Sequence, residues 1–482
     1  MLITNNFTDR FTPAQLFFTP TQLLAVIYSP VITRYMKGVS ALVLLLILYP
    51  SLLYPQAITD NTLKEATLPD CIRYGLEHQP AIRASVIDEA ITETTIKNKL
   101  ADWYPQLNLT ANYQRYLKMP VSIFPVDFND PSGPKRQVQT GVHNYSTPQL
   151  ALTQTIFSRD VLLASRTAHD VRLQARQTTT ASKIDVAAAI SKAFYDVLLI
   201  QQQIQVLGET ITRLDRSLKD AFYQYQSGVA DKIDYKRATI SLNNAKADRK
   251  AAEEQLASRY AYLKQQMGYP AEQSLQLSFD TAHMENEIAF DTLQKVKYES
   301  RIEYQQLQTQ QRLLQANVKY NQWSYIPTFS AFGYYNQVYQ NDKLSRLYSQ
   351  SYPNAYIGVQ LAWPLFQGGK RIWNIRQANL QLKRNEVEIT DLQNNINTQY
   401  SQAMATYKSN LSDFYTQKEN LDLASDVYNT LQLQYKAGVK TYLEVIIAET
   451  DLRTTQLNYY NSLYQVLSSK IDVEKALGTL SY

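Results

Sequence analysis

The sequence is short of the residues that interrupt helices. Its 482 residues include only 13 glycines and 17 prolines. No proline lies between Pro148 and Pro270, and none follows Pro364. Because proline and glycine are the strongest interruptions of regular structure, both stretches are expected to be helical apart from turns at isolated glycines.

Cysteine is scarcer still, since Cys71 is the only one in the chain. A single cysteine excludes an internal disulfide and a cysteine-based metal cluster. The aspartate just before it, Asp70, is unlike the small residue that precedes a lipidated cysteine. We expect Cys71 to be a small buried residue, with a lipid anchor as the alternative.

The sequence also lacks the groupings that enzymes and nucleic-acid-binding proteins need. The net charge of +5 is modest and no basic residues are concentrated in a run, so nucleic-acid binding is not indicated. The four histidines are scattered and have no cysteine or carboxylate at ligand spacing, and there is no glycine loop suited to phosphate. We therefore expect no catalytic site, no metal site and no cofactor.

An apolar run near the N-terminus indicates export. Met36-Lys37 precedes the apolar residues Val39 to Leu48, and Pro55-Gln56-Ala57 follows, which is typical of a secretory signal over about 36–57. The residues upstream reflect either a start codon assigned too early or a genuine leader extension. No later stretch has the roughly 18 apolar residues of a membrane helix, so any membrane crossing must be made by strands.

Two long helical hairpins are predicted, over 158–268 and 367–478, with turns at Gly228 and Gly438. The distances Gly228 to Gly268 and Gly438 to Gly478 are both 40 residues, which indicates an internal duplication. Apolar residues recur along the arms at coiled-coil spacing, so each arm has a packing seam. The turn glycines are expected to adopt positive φ or to permit close passage.

A strand pair is predicted before each hairpin, over 105–157 and 327–366. Leu107, Leu109 and Ala111 alternate with polar residues, and Ile357, Val359 and Leu361 do the same in the last strand. Tyrosines, of which the chain has 36, gather at the strand ends and favour a membrane sheet over a half-buried soluble one. Two strand pairs cannot close a barrel, so oligomerisation is required, and three copies give twelve strands.

The predicted organisation is therefore mainly helical with a membrane strand part. Residues 1–57 form the upstream extension and signal, 58–270 a first repeat, 271–290 a mid-height connection and 291–482 a second repeat. Each repeat is expected to begin with a short helix, over Ala81–Asp102 in the first and Asp291–Gln322 in the second. In each repeat the short helix and the returning arm of the hairpin are expected to stack end to end. Their combined length is then close to that of the long arm.

Four motifs of the sequence resemble those of the TolC-like outer membrane efflux proteins of Gram-negative bacteria. They are the doubled Tyr-x-x-Gly turns, an acidic residue six positions after each turn glycine, the strand exit Trp363–Gly369 and the terminal Ala476-Leu477-Gly478. The resemblance covers about Leu63 to Leu480. It implies a homotrimer with a twelve-stranded outer membrane β-barrel continuous with a periplasmic tunnel of twelve helices. It also implies passive efflux with a periplasmic adaptor and an inner membrane RND or ABC transporter.

The same resemblance implies a lock at the periplasmic end. In the family, a tyrosine and a basic residue beside the second turn hold the inner hairpin to the first. By motif position these are Tyr435 and Lys440, facing Asp234 and Ile233. The double replacement of Tyr435 by phenylalanine and Lys440 by alanine is accordingly expected to loosen the closed end. Arginine stands in the family at the position of Lys440, so this partner is expected to be weaker.

The family's lumen carboxylate ring falls on Glu444, and a second acidic ring three residues further on falls on Ile447, where this sequence departs from the pattern. Three of these site residues also have a plain structural explanation. Asp234 suits the positive end of a helix, Tyr435 lies on a packing seam, and Glu444 is equally typical of a solvated helix face.

Two other functions fit parts of the sequence. A type I secretion duct for peptides or proteins would share every feature named above. A structural periplasmic coiled-coil or adaptor protein would share the signal and the hairpins but would lack amphipathic strands of membrane-spanning length.

Overall fold

Long antiparallel helices and one four-stranded sheet make up the described part of the chain. The structure is a computed structural model. It describes residues 65–126, 130, 132–229, 231–278 and 281–482, which belong to the unit Thr62–Tyr482. The predicted signal and upstream extension, residues 1–57, lie outside the described residues.

Eight α-helices occur among the described residues. They are α1 (Leu68–His78), α2 (Pro80–Ala101), α3 (Arg159–Gln226), α4 (Lys232–Met267), α5 (Thr281–Glu287), α6 (Ile302–Gln322), α7 (Lys370–Lys436) and α8 (Tyr442–Leu477). The 68 residues of α3 and the 67 of α7 correspond to roughly 100 Å each. Within the ranges that the structure covers, no helix combines the length and the apolar character needed to cross a membrane.

The hairpin partners α3 with α4 and α7 with α8 pack along their apolar seams. The largest buried cluster joins α1 to both hairpins and includes Phe194 and Leu198 of α3 and Leu463 of α8. Cys71 lies in this cluster with no exposed surface, as expected, and burial raises the pKa of its thiol to about 12. The helix α1 was not predicted; it begins with a capping box between Thr67 and Asp70.

The two returning arms end against the backbone of other helices. Gly268 and Gly478 follow α4 and α8 with φ values of +67° and +73°. A Cβ at Gly268 would lie 2.8 Å from the His78 carbonyl oxygen, and one at Gly478 would lie 2.6 Å from that of Ser300. These contacts place the end of α4 at the start of α2 and the end of α8 at the start of α6, which is the expected end-to-end stacking.

The second short helix begins later than predicted. Asp291 does not start a helix; its side chain accepts a hydrogen bond from the Leu293 backbone, and α6 begins at Ile302. Arg301 is extended and buried, and its guanidinium donates to the Ala476 carbonyl oxygen at 2.9 Å. This contact holds Arg301 against the end of α8, directly before α6 begins.

The four long strands form one antiparallel sheet. They are β1 (Gln106–Arg115), β4 (Asn144–Phe157), β5 (Thr328–Asn341) and β6 (Ser351–Ala362), in the spatial order β1-β4-β5-β6. The short strands β2 (Val121–Pro125) and β3 (Lys135–Gln139) form a separate hairpin in the β1–β4 connection. Each long strand joins a helix at the same end of the sheet, so the β1–β4 and β5–β6 connections lie at the opposite end.

The sheet has one apolar and one polar face. The register aligns Leu107 with Leu152, then Gly333 and Ile357, so apolar positions of all four strands share a face. The other face carries the polar side chains Gln106, Asn108, Thr110, Asn112, Gln149, Thr153, Asn336, Asn354 and Gln360. Apart from Arg115, the four strands contain no charged residue. Ile357 and Val359 are 91% and 76% exposed in the single chain, so the apolar face needs a cover.

Replacing Gly478 by alanine is expected to destabilise the protein more than replacing Gly438. At Gly438, φ is +76° and a Cβ would meet no atom within 4 Å, so alanine incurs only the left-handed backbone cost of about 1–2 kcal/mol. At Gly478 the same strain is joined by overlap with the Ser300 carbonyl. Thermal unfolding followed by far-ultraviolet circular dichroism should show the larger fall in Tm for Gly478→Ala, and equal falls would contradict the close packing.

Candidate gate at the hairpin tips

The hairpin tips, defined as residues 224–234 and 434–444, have the same backbone design. At each tip the residue after the turn glycine donates its N–H to a carbonyl five residues earlier: Val229 to Gln224 at 2.9 Å, and Val439 to Gln434 at 2.9 Å. Gly228 and Gly438 have φ values of +74° and +76°, with open space where a Cβ would lie. Glycine is therefore favoured at both positions because φ is positive, and not because a larger side chain would clash.

Each returning helix begins with a side-chain cap. Asp231 caps α4 by accepting from the Ile233 backbone N–H at 3.0 Å, and Asp234 follows in the first turn. Thr441 and Glu444 form a capping box at α8, where the Thr441 N–H donates to the Glu444 carboxylate at 3.0 Å. Both acidic residues singled out in the sequence thus lie in the first turn of a helix, where negative charge is favourable.

Tyr435 connects the two hairpins. Its hydroxyl donates to Gln224 Oε1 of the first hairpin at 2.7 Å, and its ring lies 5.8 Å from the ring of Tyr442. Tyr442 is almost fully buried, and the Ser217 hydroxyl donates to its oxygen at 3.3 Å. Burial and then the charge of Asp234 raise the pKa of Tyr435, so that carboxylate lies near the phenol although the hydrogen bond goes to Gln224.

Lys440 does not pair with Asp234 or Ile233 in this structure. Its ammonium donates to the Glu444 carboxylate at 2.7 Å, four residues along the same hairpin. This hydrogen bond, with two more from Thr441, lowers the pKa of Glu444 to about 2. Lysine is a point charge on a flexible stem, so it takes the nearest carboxylate, whereas a forked arginine can engage two acceptors at once. Ile233 and Ile447 are each 52% exposed.

A buried ion pair that the sequence analysis missed joins the hairpins further from the turns. Glu449 of α8 is 5% exposed and accepts from the Arg213 guanidinium of α3 at 3.2 Å. Arg213 also donates to the Thr210 hydroxyl at 2.9 Å and lies 5.9 Å from the centre of the Tyr428 ring. One side chain thus contacts both hairpins. In sequence both residues are ordinary charged positions on helices, and only the packing identifies them.

Burial raises the pKa of Glu449, although Arg213 and Arg453 oppose the shift. A carboxyl with a raised pKa keeps its proton to a higher pH than it would after the hairpins separate and water reaches it. Two charged groups brought out of water in this way give little net stability, but removing one partner leaves an uncompensated charge.

The family model described as outer membrane efflux protein matches residues 72–269 and 298–479. The chain belongs to this family. Outer membrane protein TolC of Vibrio cholerae is 21% identical over 430 residues, covering 86% of this chain and 91% of TolC. The probable efflux pump outer membrane protein TtgC of Pseudomonas putida is 20% identical, covering 83% of each chain. The structure of CusC superposes with a TM-score of 0.66 at 16% identity, covering 88% of this chain and 95% of CusC, which supports the fold.

This outer membrane efflux protein therefore resides in the outer membrane of a Gram-negative cell, with a large periplasmic part. The resemblance drawn from the four sequence motifs is confirmed, and the strands that alternate in the sequence are the strands of the sheet.

Replacing Tyr435 by phenylalanine is expected to loosen the tips, whereas replacing Lys440 by alanine alone is expected to have little effect. Phenylalanine keeps the ring against Tyr442 but removes the bond to Gln224, worth about 0.5–1.5 kcal/mol. Lys440→Ala removes only a contact within one hairpin. Single-channel conductance in planar bilayers should rise in the first variant; a larger rise with Lys440→Ala would show that lysine has an additional partner in the assembly.

Hairpin packing is expected to weaken as the pH rises through the raised pKa of Glu449. At pH values between the ordinary glutamate pKa and the raised pKa of Glu449, the packed hairpins bind more protons than the separated ones. A rise in pH therefore shifts the equilibrium towards separated hairpins. Resting conductance measured from pH 5 to 8 should increase, and Glu449→Gln should flatten the profile. An unchanged slope in that variant would assign the pH dependence to another group.

Proposed function

We propose that three copies of this chain form a passive exit duct, in which a twelve-stranded barrel continues into a periplasmic tunnel of twelve helices. An inner membrane pump and a periplasmic adaptor deliver the substrate, and the chain itself supplies neither catalysis nor a cofactor. The observation that carries this proposal is the two-faced, nearly charge-free sheet whose four strands all join helices at one end.

Closure by three copies follows from the two outer strands. The described pairing leaves one side of β1 and one side of β6 without a partner strand. In lipid an unpaired row of backbone groups is too costly to persist, so these strands pair with neighbouring copies. Twelve strands form a barrel wide enough for a water-filled lumen lined by the polar face.

The two stretches matched by the family model support an internal duplication, with repeats over 58–270 and 291–482 joined by a connection at mid-height over 271–290. Within that connection, α5 begins at Thr281 and Ile288 accepts a hydrogen bond from Tyr407 of α7 at 2.7 Å. Each copy then contributes four arms to the tunnel wall: the long helices α3 and α7, and the stacked pairs α2 with α4 and α6 with α8. A trimer has twelve.

The tips act as the gate in this proposal. The hydrogen bond from Tyr435 to Gln224 holds the second hairpin against the first, Arg213 and Glu449 are paired between them, and separation of both contacts opens the tunnel. Gly228 and Gly438 shape the turns, and Glu444 with Lys440 stabilises the start of α8. Asp234 contributes charge beside Tyr435, and Ile233 is an exposed neighbour of the lock.

Small molecules, drugs or metals are the proposed substrates, with an RND transporter as the pump. TtgC, described as part of an efflux pump, supports this class. A type I secretion duct served by an ABC transporter is the second candidate, since the same tunnel would pass a peptide. An adaptor function is disfavoured by the exposed apolar face of the sheet, which a periplasmic protein would have to cover.

Cysteines placed on the polar faces of β1 and β6 are expected to join the copies into covalent trimers. Asn108→Cys should be combined in turn with Cys at Asn354, Tyr356, Gly358 or Gln360, because side chains of paired strands meet only on a shared face. Cys71 is buried and contributes no background. At least one pair should give oxidised trimers that conduct in planar bilayers.

The matched control pairs Asn108→Cys with Ile357→Cys, which lies on the opposite face. This pair should remain unlinked. Covalent dimers that never extend to trimers, or a chain extracted without detergent, would refute the barrel.

A further inference from the structure

The connections at the outer end of the sheet carry an excess of positive charge. Residues 115–146 and 341–352 contain six lysines and arginines against three aspartates and no glutamate. The six cations, here called the outer rim, are Arg115, Lys118, Lys135, Arg136, Lys343 and Arg346. The strands below them are free of charge apart from Arg115, so the positive charge begins where the sheet ends.

None of the outer rim cations forms an ion pair within the described part of the chain, and all six are exposed. The described acidic groups nearby are already engaged. Asp342 accepts from the His143 ring and from its backbone N–H, at 2.9 and 3.1 Å. Asp130 accepts from the Ser132 hydroxyl at 2.9 Å. Among the described residues, the positive charge of the outer rim thus has no carboxylate partner.

Exposed apolar side chains lie among these cations. Leu117 is 91% exposed and directly precedes Lys118, Ile123 is 63% exposed on β2, and Leu344 is 55% exposed beside Lys343. A soluble anion would match the charges alone. A lipid surface matches both, because its phosphates meet the cations while its acyl chains accept the apolar groups.

The topology brings the two loops together. Arg115 pairs with Asn144, and Asn144 pairs with Asn341, so Arg115 of β1 and Lys343, just after β5, lie at the same end of the sheet with β4 between them. Adjacent strands are about 4.8 Å apart, which places the start of both connections within about 10–15 Å. The β2–β3 hairpin adds Lys135 and Arg136, of which Lys135 lies opposite Pro125.

We propose that the outer rim binds the phosphate-bearing headgroups of the lipid that surrounds the barrel in the outer leaflet. Each exposed cation near an anionic membrane surface contributes attraction that salt screens. The binding anchors the barrel at a fixed depth and holds the β2–β3 hairpin against the membrane. This inference rests on the proposed function, in which the helices extend into the periplasm and the connections of the sheet lie at the outer surface.

The test uses the full chain in non-ionic detergent micelles with two added lipids: diphosphorylated lipid A, and the same lipid after removal of both phosphates. Native mass spectrometry measures how many lipids remain bound at each concentration. The wild-type chain should bind the phosphorylated lipid at least tenfold more tightly, with the preference falling as salt is raised from 50 to 500 mM.

The triple variant Lys118→Gln, Lys135→Gln, Arg136→Gln should lose most of this preference. The control variant Lys236→Gln, Lys383→Gln, Lys408→Gln removes three exposed cations from the helices and should keep it. Equal binding of both lipids by the wild type, or equal preferences of the two variants, would overturn the proposal. A triple variant that loses its trimeric mass while keeping the lipid preference would assign the outer rim to contacts between copies.

Conductance recorded from the same preparations separates this inference from the proposed function. A wild-type chain that conducts but ignores the lipid phosphates refutes lipid binding alone. A chain that never conducts refutes the duct. Far-ultraviolet circular dichroism of the triple variant must match the wild type, which excludes a folding defect as the cause of weaker binding.

Discussion

The arrangement of the whole molecule depends on the unpaired backbone N–H and C=O groups along the outer sides of β1 and β6. A soluble protein can leave an edge strand to water, but in lipid each unpaired N–H and C=O group costs several kcal/mol. In the proposed barrel, β1 and β6 therefore pair with strands of neighbouring copies, and the shared face of apolar side chains contacts lipid. The helices all lie at one end of the sheet, because each long strand either follows or precedes a helix at that end.

The hairpins are held together by different chemistry along their length. At mid-length the hairpins are held by the largest buried cluster, which includes Phe194 and Leu463 and is stabilised mainly by the burial of apolar surface. Towards the tips the buried apolar clusters are smaller, and polar contacts add to them, through Tyr435 and Gln224 and through the pair of Arg213 and Glu449. Polar contacts can exchange partners with water at small net cost, so the proposed opening at the tips would separate the less firmly packed part of the hairpins.

Much of the fold follows from local rules that a sequence displays. The hairpins are predictable because proline is absent over long stretches, and the strands because the side-chain period changes to two. The features that escaped prediction depend on residues distant in the chain. Arg301 lies just before α6 and donates a hydrogen bond to the Ala476 carbonyl oxygen, which is distant in the chain. Lys440 is the exception, because it pairs with Glu444, only four residues away, and not with the carboxylate implied by the family resemblance. The pairing of Arg213 with Glu449 depends on how two hairpins pack, which no local pattern encodes.

The contacts at Gly268 and Gly478 have a mechanical consequence. Each long arm is one continuous helix, whereas the side facing it consists of two helices that meet at an extended residue, Gln79 or Arg301. Bending is easiest at such a joint, since no helical hydrogen bonds cross it. From Gly268 to the turn, α4 has 36 residues, a lever of about 54 Å. Moving the tip sideways by about 5 Å then takes a rotation of only about 5° at the joint, an angle small enough to leave the buried seams in register.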